Sequence, residues 1–340
     1  MTAGAPGRRR RVGVDNYGLF PLDLAPIQTL EWAVDHDADG VSFSGLTPAW
    51  QGRLDAPALA DLRAFADGNG LYLEWGGAQH IPRDMTSWAR KDLFEINRRA
   101  ASEAAALGTS IVRSCSGGLM RWDAANPPTE VLLRDTAEAL RAQRTMLGDH
   151  GAILAIETHF EFTSVELLHL FDMCEAEPGG WLGICLDTMN LMTLLEHPVT
   201  AAGRLLPWVV STHVKDGGVL RAPGGLVTFP APIGDGVVDL GAIVRSLDTL
   251  RRPVTLSVED HAGSFLLPTH DEAFLSRFPE APGAGLGAML ELADATQDRP
   301  ACRPLDRAEW PAVCESRIVH DLVMLRRLAD AVPTVMEAPS

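Results

Sequence analysis

The chain has 340 residues and carries 45 acidic residues against 29 lysines and arginines, which gives a formal net charge of −16. Such an acidic chain repels polyphosphate, so its composition argues against a nucleic-acid partner. Hydrophobic residues make up 46% of the sequence, enough for the core of one large α/β domain or of two ordinary domains. No stretch approaches the roughly 18 apolar residues that predict a membrane span, so we expect no membrane partner.

Five cysteines are dispersed along the chain without a CxxC pair: Cys115, Cys174, Cys185, Cys302 and Cys314. An odd and scattered set is typical of free thiols in a reducing compartment. The N-terminus, MTAGAPGRRRR, is basic, but polar residues and a glycine interrupt the apolar stretch that a secretion signal would need next. We therefore expect a cytoplasmic protein in which residues 1–10 form a disordered leader.

Short apolar runs recur at fairly even intervals, and the segments between them, such as 87–107 and 129–150, have helical spacing. Strict alternation of strands and helices predicts a parallel sheet with right-handed crossovers. Eight units in about 260 residues predict a single (β/α)8 TIM barrel. A doubly wound open sheet is disfavoured because no glycine-rich phosphate turn follows the first strand. The eight runs are 11–17, 39–44, 71–75, 110–115, 152–159, 182–190, 209–216 and 254–260.

Two segments are longer than a minimal barrel needs. Residues 217–236, rich in Gly and Pro, follow the seventh strand and predict a long loop or a β-ribbon. Residues 262–307 follow the eighth strand and precede a closing helix around 311–329. Long loops of this kind are either disordered or functional lids. We interpret residues 11–340 as one barrel with a C-terminal helical extension from about residue 262.

The run 152–159, AILAIETH, is a buried strand that ends in polar side chains. Because side chains alternate along a strand, Glu157 and His159 are expected on the same face. One interpretation is a carboxylate and an imidazole that satisfy each other at the end of a strand. The other is a functional site, which the following three strands favour.

The next three strands also end in polar residues, in the segments CLDTMN, STHVKD and SVEDH. Catalytic groups of such barrels lie at the C-terminal ends of strands, so all four ends should share one rim. Four of their residues form a mixed set of carboxylates and imidazole: Glu157, Asp187, His213 and Glu259. This set suits one divalent ion, Mn²⁺, Mg²⁺, Co²⁺ or Fe²⁺, and Zn²⁺ less specifically. A single acidic residue at a strand end often only caps a helix, but four in succession favour a metal site.

The order and placement of these four residues resemble the xylose isomerase-like TIM-barrel superfamily, the sugar phosphate isomerases and epimerases, over about residues 11–261. The resemblance implies that the four residues bind one divalent cation, with Mn²⁺ expected first. It implies that the cation holds two neighbouring oxygens of a sugar while a proton beside the carbonyl is removed. In the epimerases the glutamates that match Glu157 and Glu259 act as the bases.

The sequence departs from the ketose 3-epimerase branch of this superfamily at Asn190, Thr163 and Val219. The grip of that branch on the end of its substrate is therefore missing, with Arg221 as a candidate replacement. The Glu-Thr-His triplet, the THVKD segment and the long tail after Glu259 are similar to the catalytic subunit of bacterial C-glycoside deglycosidases.

This second resemblance implies elimination from a 3-oxo-glycoside, with His159 as the base that removes the proton at C2. A neutral imidazole titrates near pH 7 and is suited to that task. The resemblance leaves open a small second subunit, and homo-oligomerisation is equally open.

Other polar residues at the rim each allow two interpretations. Lys215 either holds a substrate oxygen during catalysis or neutralises Glu259. His261 shares a face with Glu259 and is expected to support the site and contact the substrate. Asn190 either donates to a substrate hydroxyl or caps the next helix. Arg113 either binds the substrate or pairs with Glu74.

The first strand and three aromatic residues complete the candidates. Asp15 and Tyr17 are expected on one face of that strand and Asn16 on the other, so at most one set reaches the pocket. The aromatic residues could stack on a sugar, although such residues near loops more often belong to the core: Trp75, Trp122 and Phe265.

Elimination from a 3-oxo-glycoside and isomerisation or 3-epimerisation of a free sugar share their first step, proton removal beside a carbonyl. A nuclease of the AP endonuclease type uses the same scaffold but needs several metals and a basic surface, which the charge of −16 disfavours. A non-catalytic binding barrel would leave the four ligands unexplained. The sequence therefore predicts a metal-dependent sugar lyase or isomerase/epimerase whose partner is a small sugar or glycoside.

Overall fold

The eight predicted runs each supply one strand of a closed barrel in which all neighbours are parallel. The computed structural model describes residues 10–331 except 52, 124 and 279–282. Around the barrel the order is β1-β10-β7-β6-β5-β4-β3-β2, which confirms the predicted TIM barrel. The strands are β1 (Val12–Asp15), β2 (Gly40–Phe43), β3 (Tyr72–Ala78), β4 (Ile111–Ser114), β5 (Ile153–Glu157), β6 (Leu182–Asp187), β7 (Val209–Val214) and β10 (Leu256–Val258).

Helices follow the strands and pack around the outside of the barrel. The α-helices are α1 (Pro26–Asp35), α2 (Pro48–Gln51), α3 (Ala56–Asn69), α4 (Phe94–Leu107), α5 (Thr129–Arg141), α6 (Arg144–Asp149), α7 (Ser164–Met173), α8 (Asn190–Thr193), α9 (Pro198–Leu205), α10 (Leu240–Leu247), α11 (Glu272–Leu275), α12 (Ala284–Gln297) and α13 (Trp310–Ala331). Three short 3₁₀ helices are η1 (Asn16–Leu22), η2 (Leu119–Trp122) and η3 (Leu206–Trp208).

Two predicted helices differ from the structure. In the segment 87–107 the helix begins only at Phe94. The start of the segment belongs to a turn instead, in which the Asp84 carboxylate accepts the backbone N–H groups of Thr86 and Ser87. The segment 129–150 divides into α5 and α6. Neither change moves the strands that follow, so the barrel geometry is unaffected.

The N-terminal half of the barrel interior is filled by a tyrosine ring for which two glycines make room. A Cβ on Gly13 or on Gly40 would lie 2.3 Å from atoms of Tyr72, so neither position tolerates a side chain without a shift. The hydroxyl of Tyr72 lies 2.8 Å from the Ser257 Oγ. This packing fills the barrel interior near the N-terminal ends of the strands, so an active site can lie only at their C-terminal ends.

The segment after the seventh strand forms a β-ribbon, one of the two predicted alternatives. Strands β8 (Asp216–Ala222) and β9 (Gly225–Ala231) are antiparallel, and β11 (Phe265–Leu267) adds a third strand to this small sheet. The Asp216 carboxylate anchors the ribbon by accepting four backbone N–H groups at 2.8–3.2 Å, from Gly217, Gly234, Gly236 and Val238.

The predicted closing helix is α13, which packs against β1, η1 and β10 and so covers the seam between the first and last barrel strands. At one end of the helix Arg317 makes two bonds of 2.6 Å to Asp260. Toward the other end Arg326 Nη1 lies 2.9 Å from Asp39 Oδ2. The helix is thus tied to both rims of the barrel.

Of the predicted leader, residues 1–9 lie outside the described part of the chain, and Arg10 forms an ion pair with Asp248. Residues 332–340, at the end of the predicted extension, also lie outside it. Among the helices described, none has both the length and the apolar character needed to cross a membrane.

Candidate active site

The four predicted metal ligands come together at the C-terminal rim of the barrel. Glu157 and Asp187 are the last residues of β5 and β6, His213 lies near the end of β7, and Glu259 directly follows β10. Their potential ligand atoms, one from each residue, all lie within 4.8 Å of one another. The four residues are buried, with exposed fractions between 0% and 4%. We call them the acidic cluster.

Within the described residues the acidic cluster has five buried atoms that make ion-pair contacts at most and no hydrogen bond: Glu157 Oε2, Asp187 Oδ2, Glu259 Oε2 and both ring nitrogens of His213. Leaving buried polar atoms unsatisfied is costly, and three carboxylates this close repel one another. A divalent cation removes both penalties, and carboxylate oxygens with one imidazole nitrogen are ligands that such cations accept. The cluster therefore fits one divalent ion.

Lys215 lies against two members of the cluster. Its Nζ is 2.7 Å from Asp187 Oδ2 and 3.1 Å from Glu259 Oε2. Although burial disfavours the ammonium ion, the carboxylates of Asp187 and Glu259 outweigh burial and raise the pKa of Lys215 above its ordinary value. Lys215 thus neutralises Glu259, one of the two predicted interpretations, while it also faces the cavity described below.

Arg113, at the end of β4, pairs with Glu157 and donates to the backbone carbonyl of Ser44 at 3.0 Å. The alternative in which Arg113 pairs with Glu74 is wrong. Glu74 lies inside the barrel and accepts a hydrogen bond from the Thr255 hydroxyl, and burial raises the pKa of Glu74 to about 7.

A carboxylate from the first strand stands behind the imidazole of the cluster. Asp15 Oδ2 lies 3.3 Å from His213 Nε2 and accepts a 2.5 Å hydrogen bond from the Ser44 hydroxyl. A carboxylate in this position fixes the ring and directs Nδ1 toward the other members of the acidic cluster. The strand ends at Asp15 and Tyr17 lies in η1, so the expected common strand face of these two residues is wrong. One sequence feature could have predicted the contact of Asp15 with His213: like Glu157 and Asp187, Asp15 is the last residue of a barrel strand.

Threonine hydroxyls set the spacing of successive strand ends. Thr158 Oγ1 donates to the Asp187 carbonyl at 3.0 Å and accepts from the Asp187 N–H at 2.8 Å. Thr188 Oγ1 makes the same pair of bonds, at 2.7 and 2.9 Å, with Lys215. Asp187 Oδ1 accepts two backbone N–H groups at 2.9 Å where α8 begins, the second from Asn190. Only Oδ2 of Asp187 is therefore left for an ion.

A cavity of about 380 Å³ opens onto the cluster, which is large enough for a sugar. Glu157, Glu259 and Lys215 line its buried end. Phe160 and Phe265, whose ring centroids lie 4.6 Å apart, form part of an apolar wall. The aromatic residues that line the cavity are Tyr17, Phe20, Phe160 and Phe265.

His159 faces this cavity, although β5 ends two residues before it. Its Nδ1 lies 2.9 Å from Glu161 Oε1, a buried carboxylate that no sequence motif marks. With Nδ1 occupied, Nε2 of the neutral ring is the nitrogen left to take a proton. Burial disfavours the charged ring, but the adjacent Cys115 and Glu161 side chains outweigh it and raise the pKa of His159 above its ordinary value, so the ring acts as a base only after it has released its own proton.

The two other predicted substrate contacts also line the cavity. Asn190 Nδ2 lies 3.5 Å from Glu157 Oε1, and Asn190 begins α8 rather than capping it with its side chain. His261 Nδ1 lies 3.0 Å from the Ala262 carbonyl, so Nδ1 carries the proton and Nε2 accepts from Lys215 Nζ at 3.3 Å. Burial and the charge of Lys215 lower the pKa of His261 to about 4, which keeps the ring neutral.

Three residues considered for substrate contact lie outside the cavity. Trp75 is buried in the core and bonds a glutamate of α4, as the core interpretation predicted. Trp122 packs edge-on against Phe265, which lines the cavity, but does not line the cavity itself. Arg221 is exposed and pairs with Asp294 of α12 at 2.7 Å, so its suggested role in gripping the substrate is wrong.

Known proteins share this architecture. The protein is 30% identical over 125 residues to the uncharacterized protein YihM of Escherichia coli K12, which covers 36% of this chain and only 37% of YihM. It is 26% identical over 270 residues to 3-oxo-isoapionate decarboxylase of Pectobacterium atrosepticum, covering 73% of this chain and 84% of the decarboxylase.

Among solved structures, L-ribulose 3-epimerase superimposes with a TM-score of 0.57 at 18% identity, covering 91% of this chain and 96% of the epimerase. That likeness shows a common fold. The sequence profile of the family described as xylose isomerase-like TIM barrel matches residues 30–277, well over half of the chain. The closed barrel and the profile agree, and the chain belongs to the xylose isomerase-like TIM barrel family.

Proposed function

We propose that this protein is a divalent-metal-dependent carbohydrate enzyme that removes a proton beside a sugar carbonyl in order to eliminate the group at C1 of a 3-oxo-glycoside. The observation that carries the proposal is the pair of His159 and Glu161. His159 faces the same cavity as the acidic cluster, Glu161 holds its Nδ1 from behind, and neither residue supplies any of the four ligand atoms. A base that is free of the ion keeps its basicity.

Glu157, Asp187, His213 and Glu259 would hold the ion, for which Mn²⁺ is our first choice. When bound, the ion would polarise the substrate carbonyl and acidify the neighbouring C–H group. Arg113 and Lys215 balance the charge of the cluster carboxylates.

The elimination step needs one base and one leaving group. Nε2 of His159 takes the proton from C2, the electron pair of the C2–H bond becomes a C1–C2 double bond, and the bond from C1 to the leaving group breaks. The leaving group departs with its electron pair and takes up a proton. The aromatic wall that includes Phe160 and Phe265 supports an apolar leaving group.

Isomerisation or 3-epimerisation of a free sugar is the alternative, and it would use Glu157 or Glu259 as the base. Both carboxylates are tied to cations of the chain, Arg113 and Lys215. Although burial favours the protonated acid, Lys215 and His213 outweigh it and hold the pKa of Glu259 well below its ordinary value. A carboxylate with so low a pKa is a weak base, which supports His159.

Decarboxylation of a 3-oxo acid is a second candidate, supported by the similarity to 3-oxo-isoapionate decarboxylase over most of its length. Loss of CO₂ leaves an electron pair beside a carbonyl, as proton removal does, but needs no base to start.

The five free cysteines support our placement of the enzyme in the cytoplasm. A small second subunit and homo-oligomerisation belong to the same proposal.

The test compares the wild-type enzyme with His159→Gln on a 3-oxo-glycoside, a free ketose and a 3-oxo sugar acid. We expect release of the leaving group only from the glycoside, slowed by deuterium at C2. His159→Gln should lower kcat by about 100-fold, a general-base loss, with the metal content unchanged. His150→Gln, at the end of α6 and outside the cavity, is the matched control and should keep full turnover.

Near-normal turnover by His159→Gln would assign the base to a glutamate and the enzyme to the isomerase–epimerase reaction. Release of CO₂ from the sugar acid that does not depend on His159 would instead establish the decarboxylase.

A further inference from the structure

Three basic side chains with full charge line the cavity, and two of them are already paired. Arg113 is committed to Glu157, and Lys215 is held between two carboxylates of the acidic cluster. The third is Arg307. Within the described residues its guanidinium group has neither an ion pair nor a hydrogen bond.

Arg307 is held in place by the chain around it. The Gly263 N–H donates to the Leu305 carbonyl at 3.0 Å, which fastens the segment before Arg307 to the end of the barrel strand β10. Gly263 has a φ of +105°, and a Cβ there would lie 2.8 Å from Arg307 Nε. The arginine side chain therefore lies directly over the backbone of a residue that has to be glycine.

The position of Arg307 along the cavity differs from that of the cluster. Arg307 is exposed, whereas the cluster is buried, so the guanidinium stands at the outer end of the cavity. It lies in the segment between α12 and α13, beyond residues 30–277 that match the family profile. Arg307 thus lies outside the part of the chain that the family profile matches.

Among the described residues, the two carboxylates that line the cavity, Glu157 and Glu259, are already paired with other basic groups. The carboxylates of Glu157, Asp187 and Glu259 are balanced by Arg113, Lys215 and the divalent ion that the cluster fits. Glu161 is engaged with His159. An unpaired cation at the mouth of a concave site attracts and orients an anionic ligand.

We propose that Arg307 binds a carboxylate of the substrate, so that the substrate of this cavity is an acidic sugar derivative. The inference rests on the proposed function, because it concerns the same cavity. A guanidinium group offers two parallel N–H donors that match the two oxygens of a carboxylate. A phosphate monoester carries nearly two negative charges at neutral pH, of which one guanidinium balances only one.

The test measures binding rather than turnover. D-glucuronate and D-glucose share a ring and differ at C6, where one has a carboxylate, and D-glucose 6-phosphate supplies the other anion. Binding of each to the Mn²⁺-loaded protein is measured by calorimetry for the wild type, Arg307→Gln and Arg303→Gln. Arg303 is an exposed arginine nearby that does not line the cavity and donates to backbone carbonyls.

We expect the wild type and Arg303→Gln to bind glucuronate about 10-fold more tightly than glucose, the scale of a hydrogen bond to a charged group, and Arg307→Gln to lose this preference. Metal content should be equal in all three proteins. Equal affinities in the wild type, or a preference that survives in Arg307→Gln, would overturn the inference. Tighter binding of the 6-phosphate than of glucuronate would overturn the assignment to a carboxylate.

This outcome is separable from that of the proposed function. Equal affinities of the wild type for glucuronate and glucose, with intact elimination, would remove only the role of Arg307. A clear preference for glucuronate without elimination activity would remove only the reaction.

Discussion

Two kinds of buried carboxylate stand side by side at the C-terminal rim. Asp216 and Asp260 are satisfied by the protein, the first by four backbone N–H groups and the second by two bonds from Arg317. Asp187 and Glu259, close to them in the fold and equally buried, share the single ammonium group of Lys215 and belong to the four residues whose ligand atoms converge within 4.8 Å. The contrast separates carboxylates that hold the fold together from carboxylates whose arrangement fits an external cation.

Removal of the ion should have the largest effect and is the direct test of this contrast. Treatment with EDTA should lower turnover by about 1000-fold or more, since a bound cation contributes several kcal/mol of transition-state stabilisation. It should also lower the melting temperature, because the cluster carboxylates then repel one another. An activity assay measures the loss of turnover and calorimetry measures the melting temperature, while metal analysis of the same sample verifies that the ion is gone. Re-addition of Mn²⁺ is the control. An unchanged melting curve after verified metal loss would contradict the distinction drawn here.

Asp216→Asn tests the other half of the contrast. An amide cannot replace the charge-assisted acceptance of four N–H groups, so the free energy of unfolding should fall by about 2–3 kcal/mol. The metal content of the folded protein should stay the same. Asp294→Asn is the matched control, since its exposed ion pair with Arg221 should contribute less than about 1 kcal/mol. Chemical denaturation measures both variants, and loss of bound metal in Asp216→Asn would show that the two groups are not independent.

Asp321 is an intermediate case and has the smallest expected effect. It accepts one backbone N–H, from Ile233 at 2.7 Å, and burial together with the nearby Asp260 raises the pKa of its carboxyl well above the ordinary value. The folded state then binds the proton more tightly than the unfolded state, so ionisation of Asp321 reduces stability as the pH rises above the ordinary pKa of a carboxyl group.

Asp321→Asn removes that charge at little change in shape. The free energy of unfolding at pH 7 should therefore rise by about 1 kcal/mol, a usual gain for a stabilising substitution, and the gain should shrink toward pH 4. Denaturation curves at the two pH values decide the matter. A variant less stable than the wild type at pH 7 would mean that the ionised carboxylate is needed at this place.

The sequence was sufficient to place the barrel strands and to bring four ligand candidates to one rim. Short apolar runs and polar strand ends are local signals, and the parallel topology turns them into one cluster. Asp15 was considered only as a possible pocket residue and Glu161 was missed, because their roles arise from contacts across the barrel or in the loop after a strand. Arg307 was missed because it lies in an irregular segment with no periodic pattern. His159 reached the cavity as predicted, but as part of a turn, since β5 ends at Glu157.

The position of helix α13 late in the chain affects the order in which the parts of the barrel can assemble during synthesis. It covers the seam between β1 and β10, is tied to both rims, and is preceded by the segment that carries Arg307. On the ribosome, β1 leaves the exit tunnel first and α13 last among these elements, so the seam stays uncovered during synthesis. The protein should therefore complete its substrate cavity only once α13 has left the tunnel and packed over the seam.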